Sequence, residues 1–287
     1  MLSGFIKTAF RFLWGNKTYS ILNFLCLTFG LTCSILAFLH ITNILSYDKF
    51  QKNYDRLYTV EANITYFNGD RFPKELMSAS LTGVLEKIPE IESLTRVISR
   101  SHTFAYDSIT FDESGIYADK NFLDVFTFPL ESGNLQDAMQ DINSIIVSKK
   151  MALKFFGTKN CIGKTLILKD KSREEAYLIT GVLKKVESPS YIQFDYIIPF
   201  EKFLSVESMA ADPGSSLCQI WALLLPNTGK QAVDVKIKDL IKTQETTLNQ
   251  ELFLFPLKEK VLYYYVGGRR VWREMQYLFL AGSIGLA

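Results

Sequence analysis

Two segments carry residue types that could do chemistry. Gly157-Thr158-Lys159-Asn160-Cys161-Ile162-Gly163-Lys164-Thr165 has the glycines, lysine and threonine of a phosphate-cradling loop. Such a loop needs four residues between its glycines and must follow a strand and open a helix. Here five residues intervene, after a helical pattern and before a strand pattern. The segment reads as a helix C-cap at Gly157 followed by a turn. Ala281-Gly282-Ser283-Ile284-Gly285 offers the serine of a nucleophile elbow, but has Ala281 where glycine is required and no strand before it. Its small residues suit close helix packing instead.

The isolated reactive side chains add no site. His40 and His102 are the only histidines. His40 lies in an apolar run near its outer end, and His102 reads as a surface residue with no serine placed beside it. Asp119, Asp124, Asp137 and Asp141 read as loop acids that solvate the surface or cap helices. Cys26 and Cys33 fall in the apolar run, while Cys161 and Cys218 pair only if the fold brings them together. No cysteine or histidine spacing fits a metal. Trp221 reads as core. The chain is therefore expected to be no enzyme, with no cofactor and no metal.

The apolar run itself is the dominant element. Residues 18–47 hold no charged side chain, and Asp48-Lys49 end the run abruptly. About 20 apolar residues cross a bilayer core. A signal h-region is only about 7–15 residues long and ends at a small-residue cleavage site, and a soluble helix would carry polar positions every turn or two. The run reads as a transmembrane helix over 18–46. Lys7, Arg11 and Lys17 precede it without an acid, which places the N-terminus in the cytoplasm. Residues 1–17, with Phe5, Ile6, Ala9, Phe10 and Leu13 at helical spacing, read as a cytoplasmic amphipathic helix on the inner surface. Residues 273–287 read as the start of a second transmembrane helix, cut at Ala287. Arg269 and Arg270 then sit on the outer side, against the positive-inside trend. Gly267-Gly268-Arg269-Arg270 reads as a flexible juncture.

Residues 47–272 then form a periplasmic domain of mixed pattern. Strands are expected over Asp55–Tyr66 with one buried face, Ile91–Ile98, Ser144–Ser148, Thr165–Lys169, Glu175–Leu183, Leu217–Leu225 and Leu252–Phe255. Phe104–Phe111 and Gly115–Tyr117 suggest a hairpin turning at Asp112-Glu113-Ser114. Helices are expected over Lys74–Ile88, over Lys149–Phe156 with a stop at Gly157, and over Gly229–Leu248. The fold class is α+β: a transmembrane helix, a mixed α/β domain with an inserted β-rich subdomain at about 103–200, which the family resemblance described below implies to be a periplasmic porter-like domain, and the start of a second transmembrane helix. A net charge of +2 gives no field for nucleic acid.

The exit Ser46-Tyr47-Asp48-Lys49-Phe50-Gln51-Lys52-Asn53, continuing through Asp55-Arg56-Leu57-Tyr58, resembles the exit of the first helix in MacB-like, FtsX-like ABC transporter permeases. Ala118–Leu123, Phe126–Leu130 with Gly133-Asn134, Asn143–Ser148, Ala152–Gly157, Ile162–Leu166, and Leu252, Phe255, Pro256 and Leu257 with Tyr265 resemble blocks of that family's periplasmic core domain, in order along nearly the whole chain.

The resemblance implies a permease subunit of the bacterial inner membrane, multi-pass in full length, with further helices beyond the second. It implies an ABC ATPase partner, a homodimer or paired permease, membrane lipid around the helices, and in some members a periplasmic adaptor or outer-membrane component. Cargo of peptide, lipid, lipoprotein or drug type is expected. A non-transporting signalling or activation module is the alternative, and a membrane-anchored periplasmic enzyme is a third reading that the missing catalytic constellation disfavours. Ser46, Tyr47, Asp48, Lys49 and Phe50 are the candidate mechanical element. A charged turn directly after a spanning helix can pass helix movement to the outer domain.

Overall fold

The structure is a computed structural model that describes residues 4, 11, 14–15, 17–66, 68–170, 173–186, 188–207, 215–241, 249–266 and 269–272. The chain divides into two units, Met1–Ser46 and Tyr47–Ala287.

The first unit is dominated by helix α1 (Lys17–Leu45), whose 29 residues bury nothing. At 1.5 Å per residue it measures about 43 Å, longer than a bilayer core of about 30 Å. Its mean hydropathy of 2.1 suits a membrane span. Several of its hydroxyls bond inside the helix: Thr32 Oγ1 donates to the Thr28 carbonyl and Ser34 Oγ to that of Gly30, each at 2.8 Å. In lipid that removes the cost of an unpaired polar group. Most of the expected amphipathic helix, and all of the second span at 273–287, lie outside the described residues.

The second unit is built on an eleven-stranded sheet. Its strands are β1 (Leu57–Thr65), β2 (Arg71–Lys74), β3 (Ile91–Tyr106), β4 (Ile109–Ala118), β5 (Leu130–Gly133), β6 (Ser144–Ser148), β7 (Thr165–Asp170), β8 (Arg173–Leu183), β9 (Tyr196–Pro199), β10 (Gln219–Leu224) and β11 (Asn249–Pro256). The strand order is β11-β1-β10-β3-β4-β9-β6-β8-β5, with β2 on β1 and β7 between β3 and β8. Pairing is antiparallel except for β4 with β9 and β6 with β8. The helices are α2 (Thr82–Leu85), α3 (Phe122–Val125), α4 (Lys149–Phe156), α5 (Phe200–Val206), α6 (Lys230–Ile237) and α7 (Leu257–Lys260). A separate antiparallel pair joins β12 (Tyr263–Val266) to β13 (Arg269–Trp272), so Arg269 and Arg270 of the expected juncture lie in a strand, while Gly267 and Gly268 lie outside the described residues.

Strand alternation feeds two cores. Val60, Ala62, Ile98, Tyr117, Ile145, Val147, Tyr196 and Ile198 join one cluster, with Phe155 of α4, Phe203 of α5 and Val233 of α6. Leu57, Val97, Ile116, Ile146, Ile197 and Trp221 join the other, with Phe122 and Phe126 in and beside α3. Side chains alternate faces along a strand, so β3, β4, β6, β9 and β10 are apolar on both sides because both are covered. The single buried face expected for β1 is therefore a correction. Its second face buries Thr59 and Glu61 as well.

Three further expectations change. The hairpin turns at Asp107-Ser108, not at Asp112–Ser114, which lie inside β4. Asp107 sits at φ 49°, the left-handed conformation that aspartate tolerates. The helix expected over Lys74–Ile88 shrinks to a 3₁₀ turn, Ala79–Leu81, and α2, because Arg71–Lys74 pair with β1. The long helix after Gly229 is Lys230–Ile237, and residues 242–248 lie outside the described residues. By contrast α4 runs as expected, from an N-cap at Ser148 to Gly157 at φ 65°. The phosphate-loop lookalike is thus a C-cap followed by a turn into β7.

Candidate functional site

The turn that follows α1 is held by its own polar side chains. Asp48 adopts φ 56°, a conformation open to few residue types besides Gly, Asn and Asp. Its backbone N–H donates to the Pro189 carbonyl at 2.9 Å, and its own carbonyl accepts from Gln51 N at 3.0 Å. Its carboxylate accepts from Ser190 Oγ at 2.5 Å and from the Tyr191 N–H at 2.9 Å. The side chain is buried. Burial raises its pKa above the usual aspartate value, against the hydrogen bonds from Ser190, Tyr191 and Gln51, which lower it. Hydrogen bonds to a charged group contribute about 1.5–3 kcal/mol each, so this one residue fixes the turn to the segment 189–191.

A second strip holds the other side of the turn. Thr127 Oγ1 donates to Gln51 Oε1 at 2.9 Å and accepts from Lys52 N at 3.1 Å. Asn53 Nδ2 donates to the Val125 carbonyl at 3.0 Å. The Phe50 ring lies 5.4 Å from Phe128, which meets Phe194 edge-on at 5.0 Å. Of the five candidate residues, Asp48 and Phe50 make these contacts. Ser46 Oγ donates to the Asn43 carbonyl at 2.6 Å, Tyr47 is half-buried and Lys49 is exposed. α1 ends at Leu45, so Tyr47 lies in the turn that follows it.

Tyr191 links this turn to the sheet. Lys260 Nζ lies 5.6 Å above its ring and ion-pairs with Glu61 of β1, both side chains 2% exposed. Thr59 Oγ1 donates to Glu61 at 2.9 Å. Burial works against the Lys260 ammonium, but Glu61, Tyr191 and Glu75 outweigh it and raise its pKa.

The other candidates are structural. His102 is half-buried rather than on the surface, with Nε2 3.0 Å from the Tyr117 hydroxyl, and burial lowers its pKa. Asp119 is no loose surface acid. It accepts from Arg96 Nη2 at 2.6 Å and from the Arg96 backbone N–H at 2.7 Å. Cys161 and Cys218 are buried free thiols, and burial pushes Cys218 up to about 12. Trp221 is core, 5.0 Å from Phe126.

Sequence reasoning missed Ser190, Tyr191, Gln51, Thr127 and Lys260. For Ser190 and Tyr191 the signal is a polar break, Ser188-Pro189-Ser190, between apolar strand patterns, while Gln51 and Thr127 lie inside family-like blocks without a role assigned to them. The assembled groups hold one another. They hold residues 48–53 against Val125–Phe128 and the segment 189–191.

Residues 20–240 match the family described as MacB-like periplasmic core domain. Among solved structures, a domain ascribed to a permease protein of Porphyromonas gingivalis is similar at 19% identity and TM-score 0.63, covering 79% of this chain and 98% of that one. The periplasmic region of MacB from Actinobacillus actinomycetemcomitans is similar at 17% identity and TM-score 0.53, covering 76% and 94%. At such identities the likeness is one of fold. No curated protein matches.

Proposed function

Because the chain belongs to the MacB-like periplasmic core domain family, we propose that its Asp48 turn couples a membrane helix to a periplasmic domain within an ABC transporter permease. The chain is a permease-type component of a membrane transporter. In this reading α1 crosses the inner membrane once and residues 273–287 begin a second crossing. Residues 47–272 form the periplasmic part, with about 103–200 as an inserted β-rich subdomain. A partner ABC ATPase hydrolyses ATP in the cytoplasm, a second permease subunit completes the assembly, and the cargo is a peptide, lipid, lipoprotein or drug.

The observation that carries this reading is the anchorage of Asp48. A loose linker after α1 would absorb any helix movement. A turn fixed by a buried carboxylate to Ser190 and Tyr191 transmits it.

The test is co-purification from native membranes followed by hydrogen exchange. The full-length protein should bring down an ABC ATPase, and trapping that ATPase with ATP should change exchange at residues 188–195. Purification without any ATPase, from membranes in which one is expressed, would overturn the reading.

A further inference from the structure

A groove of about 900 Å³ opens beside the Asp48 turn. Its walls are α4, the end of β8 and residues 184–186 and 188–195. Phe128, Leu153, Leu183, Ile192 and Phe194 give it an apolar lining, and Lys149, Lys150, Lys154, Lys184 and Lys185 stand around it. We propose that this groove binds an amphiphile with an apolar chain and an anionic head group.

The charges decide the class. Among the described lining residues the one acid is already engaged: Asp195 accepts from Ser148 Oγ at 2.8 Å and from Lys150 Nζ at 2.7 Å. Lys154 is held by Glu113 at 2.5 Å and Lys149 by Glu131 at 3.3 Å. Lys184 and Lys185 make no ion pair with any described residue, and both are exposed. The Lys184 backbone N–H donates to the Pro129 carbonyl at 2.9 Å, which fixes the main chain that carries this lysine beside the groove. Leu153 presents an apolar side chain that is 48% exposed on α4. Two unpaired cations over an apolar floor complement one anionic head on one apolar tail.

Size favours a small amphiphile over a protein segment. Sites for small ligands span about 300–1,000 Å³, whereas a stable protein partner needs about 800 Å² of surface on each side. The groove also shares Pro189 and Ser190 with the anchorage of Asp48. Occupancy therefore acts on the segment that fixes the turn. Binding itself is a property of the domain, and only this last consequence rests on the permease reading.

The test uses the full chain in phosphatidylcholine nanodiscs with dansyl-undecanoic acid as a fluorescent probe. Saturable binding above that of empty discs is expected. K184E/K185E should weaken it by at least about tenfold, and Leu153→Asp should weaken it comparably. Binding of uncharged dansyl-undecanol should be unaffected by the lysine changes. All three positions are exposed, and an unchanged thermal melt shows that the variants fold. Competition by phosphatidylglycerol added to the discs would mark the bilayer as the source of the ligand, and its absence would mark a soluble amphiphile. Either supports the site. Probe binding no better than to empty discs, or equal in all variants, would overturn it. So would tighter displacement by an acidic peptide than by unlabelled undecanoate.

Discussion

At Asp48 one carboxylate joins residues 142 positions apart in the chain. Asp48→Ala removes both acceptors and puts a less tolerant residue at φ 56°. It should lower stability by about 2–4 kcal/mol. Asn keeps one acceptor for the Tyr191 N–H and offers its NH₂ to Ser190 Oγ, so Asp48→Asn should cost less than about 1 kcal/mol. Urea unfolding of both variants checks the difference. The folded-state pKa of Asp48 lies above its ordinary 3.8. Ionising it in place therefore costs stability that is fully present below that value and is lost as pH rises through the folded pKa. In Asp48→Asn this part of the pH dependence should vanish.

Lys260 obeys a different rule. Lys260→Met strands Glu61 in the core and should cost about 3–5 kcal/mol. Adding Glu61→Leu should recover most of the loss in thermal unfolding, because no unpaired charge then remains. Asp48 was legible in the sequence as the first charge after an apolar run. Its partners were not, because Ser190 and Tyr191 carry no spacing that announces them.

Elements were legible where local signals agreed. β6 and α4 follow directly from an apolar run, a serine N-cap and a C-terminal glycine. β4 was misread because Asp112-Glu113-Ser114 has the composition of a turn. In the sheet each of these polar groups has a tertiary partner. Thr103 donates to Asp112 at 2.6 Å, Glu113 pairs with Lys154, and Ser114 meets Ser101 at 2.9 Å. Cross-strand partners thus override local composition. The pairing of β4 with β9 has its own requirement. A Cβ on Gly115 would come within 2.5 Å of the Tyr196 ring, which is fully buried over it. Gly115→Ala should therefore destabilise the domain by about 1–3 kcal/mol by overpacking. Denaturant titration checks this, and a cost below about 0.5 kcal/mol would show that the ring moves aside freely.

For the whole molecule, the apolar run and the order of the family-like blocks made the long apolar helix and the α+β domain legible. The sheet order was not, since β1, β10 and β3 are neighbours in space and far apart in sequence. The proposed function depends on this assembly, because β1 starts just after the turn, while Ser190 and Tyr191 come just before β9. The most direct measurement is the ATPase rate of the full-length permease with its ATPase in proteoliposomes, with and without a ligand of the periplasmic domain. Asp48→Ala would be compared with Lys49→Ala at the exposed neighbour. Asp48→Ala should keep its basal rate and lose the response to ligand, while Lys49→Ala keeps both. A full response in Asp48→Ala, with the turn shown by hydrogen exchange to be released, would contradict coupling through this turn.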